Sequence, residues 1–294
     1  MNKISVLKRN IWKFYRGKMI SPKNVLEVSN FIAQKYCAYN QYLDGGFEKR
    51  INVEFASRLN ELYCIEALLN NRMKLKHRGN AGLDIWIENI KGWGEFVAAT
   101  DTAEQMKKYE EEKDCASDEN YHLSRLTNVI KTKLEKIQRD VEKGLIHDDE
   151  PIVLFVSSAY LNDPYLISPK GFVSTCLRAV FPIGEATMYV DPIAKTGKLR
   201  RDYKFGISKL NGAKIGNNYF LREESAFISA VVFSYQTVLQ PYFCPEVKFK
   251  SGDEFVIVHN PLAKNTMPIG LLKGHHEYKC SFENEILSIK DCNA

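Results

Sequence analysis

Apolar residues in the first half of the chain recur at intervals of three and four, which is the spacing of an amphipathic helix. This spacing predicts one helix over 25–43, a stronger one over 47–72 and a third over 124–144. Ser124 can cap the third helix and Gly144 can end it. The first 24 residues mix basic and aromatic side chains. They form either a basic arm that contacts nucleic acid or a helix with a solvated basic face.

A second pattern, short runs rich in β-branched and aromatic residues, predicts strands. Residues 83–100 contain two such runs around a polar connection, which indicates a hairpin. Residues 151–158 are continuously apolar, as in a strand that is buried on both faces. The remaining predicted elements are strands over 226–235 and 254–259 and a loop or exposed helix, without catalytic content, over the charged residues 101–120.

Composition narrows the class of protein. Of the 294 residues, 45% are apolar and 26% are charged, so the chain can build a core. No apolar run approaches the roughly 18 residues of a membrane span, and no secretory signal is expected. The seven cysteines are scattered without a C-x-x-C pair, which favours a reducing, cytoplasmic setting over a disulfide framework or zinc site. The net charge of +5 permits a polyanionic partner.

Two acids of the predicted hairpin are the first candidates for chemistry. If a two-residue connection is centred on positions 90 and 91, Asp84 faces Val97 and Trp86 faces Glu95. Asp84 and Glu95 then lie on one side of the hairpin as diagonal neighbours, roughly 7–8 Å apart at their backbones. Such a pair either converges on a hard cation or remains as two solvated charges.

Three helical residues are further candidates. Lys133 lies within the apolar stripe of the helix over 124–144, where a lysine must extend outward or reach a buried anion. Arg125, near the start of that helix, is either a phosphate or carboxylate clamp or an exposed cap residue. Glu61 lies beside the apolar face of the helix over 47–72, and either points into a neighbouring sheet or pairs locally with Arg58.

Five segments follow one another in a recognisable order. They are RLNELY (58–63), LDIWIE (83–88), GEFVAAT (94–100), RLTNVIKTK (125–133) and PIVLFVSS (151–158). This order of helix, acidic hairpin, lysine-bearing helix and buried strand resembles the PD-(D/E)XK nuclease superfamily. It is similar, more narrowly, to poorly characterised bacterial members with an RLWELY-type helix. The resemblance implies a restriction-endonuclease-like mixed central sheet flanked by helices, with additional strands in the C-terminal half, and metal-dependent cleavage of phosphodiester bonds.

The resemblance also implies roles for individual residues. Asp84 matches the first acid of the motif, Glu95 the second, and Glu61 the helical acid that often joins the site. Val97 stands where the motif usually has lysine, which is a departure. In variants of the superfamily a neighbouring helix supplies that lysine, and Lys133 is the natural candidate here.

The implied cofactor is Mg²⁺ or Mn²⁺, held by Asp84, Glu95 and the backbone carbonyl of Val97, with Lys133 orienting the nucleophile. The implied partner is nucleic acid, most simply DNA. Basic residues suited to its phosphates are Arg125 and, within 195–204, Lys198, Arg200 and Arg201, although that segment could equally be a plain exposed hairpin.

These assignments divide the chain into an N-terminal helical region (1–46), a nuclease-like core (47–160) and a C-terminal α/β extension packed on the core (161–294). The alternative function is that of a catalytically decayed nuclease fold, which acts as a nucleic-acid- or protein-binding module. Val97 is the best argument for that alternative. The sequence leaves open DNA against RNA, endo- against exonucleolytic cleavage, sequence specificity, the oligomeric state and the pathway.

Overall fold

The residues that the structure describes, in a computed structural model, are 2–15, 21–77, 82–102, 119–161, 169–191, 193, 196–209, 212–243 and 250–293. They form the mixed α/β fold that the sequence predicts, with a large mixed sheet flanked by helices and further strands in the C-terminal half. The α-helices are α1 (Lys3–Tyr15), α2 (Pro22–Tyr39), α3 (Phe47–Arg50), α4 (Phe55–Asn70), α5 (Glu119–Glu142), α6 (Pro169–Val180) and α7 (Gln240–Phe243). Short 3₁₀ turns lie at Asn40–Tyr42, Tyr219–Leu221 and Glu223–Ser225.

The strands assemble into one large sheet and two small ones. They are β1 (Leu75–Lys76), β2 (Ile85–Ile87), β3 (Gly92–Thr100), β4 (Ile152–Tyr160), β5 (Ile183–Asp191), β6 (Thr196–Tyr203), β7 (Ile207–Ser208), β8 (Lys214–Ile215), β9 (Ile228–Ser234), β10 (Val256–His259), β11 (His276–Glu283) and β12 (Ile286–Asp291). The large sheet has eight strands in the order β1-β2-β3-β4-β9-β10-β11-β12, while β5-β6 and β7-β8 pair separately. Strands β3, β4 and β9 run parallel to one another at its centre. Elements before and after position 160 therefore share this sheet.

The large sheet is covered on both faces. On one face, helices α1 to α4 pack against residues such as Phe96, Phe155 and Ile257. On the other face, helices α5 and α6 pack against residues such as Leu154 and Val231. Helix α5 connects the parallel strands β3 and β4, as such a crossover requires. Residues of β3 alternate between the two faces, so a single strand presents side chains to both α4 and α5.

The single helix predicted over 47–72 is two helices. Helix α3 ends at Arg50, a turn follows, and α4 begins at Phe55. The break includes the β-branched residues Ile51 and Val53, which disfavour helix because their side chains lose χ1 freedom. Val53 fits the apolar spacing of a continuous helix, but it is exposed on the turn. Phe47 and Ile51 are fully buried, so the apolar pattern is explained by packing of two segments.

Helix α5 begins earlier than the sequence suggests. Ser124 is not its cap, because the helix already includes Glu119, and the Ser124 hydroxyl donates to the Tyr121 carbonyl one turn before it. Gly144 lies two residues after Glu142, the last helical residue, and has a positive φ of 69°, a conformation that glycine adopts readily. The charged segment 101–120 is predicted as a loop or exposed helix. Its residues 103–118 lie outside the described residues.

The first residues form helix α1, the second of the two forms expected from their composition. Leu7 and Ile11 are fully buried against the neighbouring helices, while Lys8 donates to Asn30 on α2 at 2.7 Å. Helix α2 starts at Pro22 and ends at Tyr39, so the predicted helix over 25–43 starts too late and runs too far. Among the described residues, no helix has the length and apolar character needed to cross a bilayer.

Candidate active site

The start of β3 is held tightly against its neighbours. A Cβ atom on Gly92 would lie 2.2 Å from the carbonyl oxygen of Pro151, so only glycine fits there without a shift. The next amide, that of Trp93, donates to the same carbonyl at 2.8 Å. The Trp93 indole packs edge-to-face on Trp86 and donates to Glu150. This contact fixes the hairpin on the sheet and therefore the position of the acids that it carries.

The hairpin register differs by two residues from the predicted one. Trp86 pairs with Trp93, not with Glu95, because residues 88–91 form a four-residue connection. Continued by two residues, this register sets Asp84 opposite Glu95 instead of Val97. A shift of two preserves the alternation of faces, so both carboxylates still lie on one side of the hairpin. Asp84 comes just before β2, and its Oδ2 accepts a hydrogen bond from the Phe96 amide at 2.6 Å.

Glu95 is the innermost charged group of the site. Its side chain is 0% exposed and accepts hydrogen bonds at Oε1 from two lysines of α5. Lys133 reaches it from the apolar side of the helix, and Lys136 lies 2.9 Å away. The two lysine side chains are 23% and 41% exposed, so they connect the buried carboxylate to solvent. Lys133 therefore reaches a buried anion, which is one of the two alternatives that its position in the apolar stripe predicts.

Sequence reasoning missed Lys136. It follows Lys133 by three residues, and residues three apart on a helix are neighbours on its surface. That spacing is the signal that could have found it. In the sequence, Lys136 lies at the border of the polar face, where a lysine is unremarkable. Only the position of Glu95 beneath the helix gives it a partner.

The backbone of Val97 already has a partner on α4. Its carbonyl oxygen accepts a hydrogen bond from the side-chain amide of Asn60 at 3.0 Å, and Asn60 is 1% exposed. The predicted metal ligand is therefore engaged, although a carbonyl oxygen has a second lone pair. Sequence reasoning missed Asn60 because an asparagine within an apolar helix face carries no chemical signature.

Glu61 belongs to a charged network. The Arg58 guanidinium donates to Glu61 Oε2 at 2.9 Å and to Asp44 Oδ2 at 2.8 Å, and it also pairs with Glu54. The simple local pair of Arg58 and Glu61 is therefore only part of the arrangement. Side-chain exposure is 8% for Glu61 and 12% for Arg58, so the network is mostly enclosed. The three carboxylates keep the pKa of Arg58 above its usual value despite burial, which opposes the rise.

Burial and mutual repulsion perturb the three predicted acids. Burial and the nearby Asp84 carboxylate raise the pKa of Glu61 to about 8. Burial and the nearby Glu95 raise the pKa of Asp84 to about 6. The pKa of Glu95 is instead lowered, because Lys133 and Lys136 outweigh its burial. Glu95 in return raises the pKa of Lys133. The structure thus brings Glu61, Asp84, Glu95 and Lys133 into one electrostatically coupled cluster.

The carboxylate oxygens of Asp84 and Glu95 indicate how well the site fits a divalent cation. Within the residues that the structure describes, no three side chains among His, Cys, Asp and Glu are arranged as a metal-binding group. However, Glu95 Oε2 is buried and has no hydrogen-bond partner there. A bare carboxylate oxygen, beside a second carboxylate of raised pKa, is the donor set that a hard cation uses. Asp84 and Glu95 therefore fit a cation as a two-carboxylate site, with further positions left to water.

The other predicted contact residues lie elsewhere. Arg125 is half-buried, and its Nε donates to the carbonyl of Thr100 at the end of β3 at 2.8 Å. Arg201 is exposed and donates to the carbonyl of Gly184 at 3.3 Å. Lys198 and Arg200 occupy the same strand, β6, but their side chains lie outside the description. Strand β6 pairs with β5 in a separate sheet. Among the described residues, Arg125 and Arg201 bond to backbone carbonyls and not to the carboxylates.

Searches of protein-family models, of curated proteins and of solved structures found no match to this chain.

Proposed function

We propose that this protein is a metal-dependent nuclease of the PD-(D/E)XK type, which hydrolyses phosphodiester bonds in DNA and takes its lysine from a helix. The observation that carries the proposal is the contact of Lys133, on α5, with the buried Glu95. This contact supplies the missing motif lysine from a different element, beside Asp84 and Glu61. Perturbed carboxylates clustered with a cation are characteristic of reactive sites.

Each residue has a distinct task in this proposal. Asp84 and Glu95 would hold Mg²⁺ or Mn²⁺, which would supply a bound water of lowered pKa and a positive charge beside the phosphate. Lys133 orients the attacking water and stabilises the negative charge that develops on the phosphorane oxygens. Lys136, the more exposed of the two lysines, meets the incoming phosphate at the mouth of the site.

Glu61 supports this site through a proton. With a pKa of about 8 it is largely protonated at neutral pH. A neutral Glu61 adds no negative charge beside Asp84, so Asp84 can stay ionised. A bound cation would favour the loss of the Glu61 proton, and Glu61 would then add a third negative charge to those of Asp84 and Glu95.

The second candidate function is a binding module with a decayed site. Two observations favour it. Val97 replaces the motif lysine, and Glu95 Oε1 is neutralised by two ammonium groups at once. In this alternative, Lys133 and Lys136 fill the role of a cation permanently, and the basic residues retain affinity for nucleic acid without cleavage.

One experiment separates the two functions. Purified protein is incubated with plasmid and with single-stranded DNA in Mg²⁺ or Mn²⁺, and both cleavage and binding are measured. We expect cleavage to fall at least 100-fold in Asp84→Asn, with binding and circular dichroism unchanged. Glu88→Gln, on the same hairpin but paired with Lys76 at the far end, is the matched control and should cleave normally. Binding without cleavage in either metal identifies the module, and absence of both activities overturns both candidates.

A further inference from the structure

A cavity lies apart from the carboxylates. It has a volume of about 290 Å³ and lies between the first described turn of α5, the end of α6 and residues 204–209. Three basic residues line it, namely Arg178, Lys204 and Lys209. Among the described residues that line it, none is acidic. The cavity therefore concentrates positive charge, in contrast to the acidic site at the start of β3.

Hydrogen bonds hold the walls of this cavity in place. Asn217, 2% exposed, donates to the carbonyls of Arg178 and Phe181 and accepts from the Gly206 amide at 2.9 Å. These bonds join the end of α6 to the segment that carries the two lysines. Lys209 in turn donates to Asn128 on α5 at 3.0 Å. Arg178 itself is 5% exposed. The three elements that form the cavity are thus tied to one another, and the basic residues have defined positions.

Size and charge together indicate the ligand. Guanidinium and ammonium groups are the usual side-chain ligands of phosphate. A volume of 290 Å³ lies at the lower end of small-molecule pockets, larger than inorganic phosphate needs. Tyr121, Leu123 and Ile207 add apolar lining suited to an organic group. We infer that this cavity binds a phosphate ester of mononucleotide size. The inference does not depend on the proposed nuclease function.

The test is calorimetric titration of the full chain without divalent metal. The probes are inorganic phosphate, a 5′-mononucleotide and the corresponding nucleoside. We expect saturable binding of the mononucleotide that weakens as salt is raised. The double substitution Lys204→Met with Lys209→Met should weaken binding at least tenfold. Lys279→Met, an exposed lysine on β11, is the matched control and should bind like the parent.

Each outcome bears on the inference. Tighter binding of the mononucleotide than of inorganic phosphate supports the ester, and equal binding of both supports the phosphate chemistry while assigning the ligand to free phosphate. Binding of the nucleoside as tightly as the mononucleotide overturns the inference. Unchanged affinity in the double variant also overturns the inference. Absence of binding at ligand concentrations of about 10 mM overturns it as well, because weaker binding than that is not specific. Because no metal is present, failure of the nuclease proposal leaves these readings intact.

Discussion

Two buried glutamates of this fold, Glu254 and Glu95, have different kinds of hydrogen-bond partner. Glu254, just before β10, accepts hydrogen bonds from the Tyr63 and Ser234 hydroxyls at Oε1 and from the Gly252 amide at Oε2. Its partners are neutral, and burial raises its pKa. Glu95 pairs with two ammonium groups at Oε1, leaves Oε2 without a partner in the described residues, and has a lowered pKa.

The difference is one of hydrogen-bond satisfaction, and on the proposed function it separates a structural acid from a chemical one. Neutral donors from the core satisfy both oxygens of Glu254, so nothing further is needed there. Glu95 is kept ionised by lysines that reach solvent, and one of its oxygens remains open. On the proposed function, that open oxygen is the one that a ligand would contact. The following substitutions test that distinction, from the largest expected effect to the smallest.

Removing both lysines from Glu95 should have the largest effect on stability. In Lys133→Met with Lys136→Met, a buried carboxylate is left without a counter-charge, so we expect a loss of about 3–5 kcal/mol in the free energy of unfolding. Urea denaturation measures this loss. Lys136→Met alone should cost less than about 1 kcal/mol, since Lys133 remains and the position is partly exposed. Adding Glu95→Gln to the double variant should restore much of the stability; no restoration would show that the lysines stabilise the fold in another way.

The same substitution at the two glutamates should separate activity from stability. We expect Glu95→Gln to reduce DNA cleavage about 10²–10³-fold, as for other groups that stabilise transition-state charge. Glu254→Gln should leave cleavage per folded molecule within about threefold of the parent. The measurement is the rate of plasmid nicking at equal concentrations of folded protein. Equal losses in both variants would contradict the assignment of a chemical role to Glu95.

Truncating a neutral donor to Glu254 should cost less. In Tyr63→Phe the buried carboxylate loses one hydrogen bond but keeps those of Ser234 and Gly252. We expect a decrease of about 1–3 kcal/mol in the free energy of unfolding, measured in urea. DNA cleavage should be unchanged, and a parallel loss of cleavage at full folding would connect this network to the site.

The raised pKa of Glu61 predicts an effect on stability that is absent near pH 4.5 and depends on pH. A folded-state pKa of about 8, against 4.5 for the ordinary group, means that the folded protein holds this proton between those values while the unfolded chain releases it. The contribution of Glu61 to stability therefore falls as pH rises from about 4.5 to 8. We expect Glu61→Gln to equal the parent in stability near pH 4.5 and to become progressively more stable than the parent as the pH rises to 8.

Thermal or urea unfolding of the two proteins across this range measures the difference. Asp84→Asn is the companion variant, and its advantage should appear at lower pH because the pKa of Asp84 is about 6. A difference between Glu61→Gln and the parent that is constant across the range would contradict the pKa of Glu61.

Local pattern was informative for the element types, and less so for their ends. Two runs of β-branched and aromatic residues within 83–100 predicted the hairpin. The shared side of its two acids survived a two-residue error in register, because two steps along a strand return a side chain to the same side. The predicted helix over 47–72 failed because its apolar residues fit two segments packed in one core as well as one continuous helix. The cap at Ser124 failed for a related reason, since capping residues also occur inside helices.

The candidate site shows the same division. The sequence by itself predicted the helices and strands that carry the site. It singled out Asp84 and Glu95 by their shared side of the hairpin, and it singled out Lys133 by its position within an apolar stripe. Glu61 was singled out because it lies beside an apolar helix face. Only the tertiary structure decided that Glu95 lies beneath α5, that Lys136 shares it, that Asn60 occupies the Val97 carbonyl, and that Asp44 joins Arg58. Residues distant along the chain meet through the packing of helices on both faces of the sheet. No local pattern encodes those distances, so these partners could be recognised only once the fold was known.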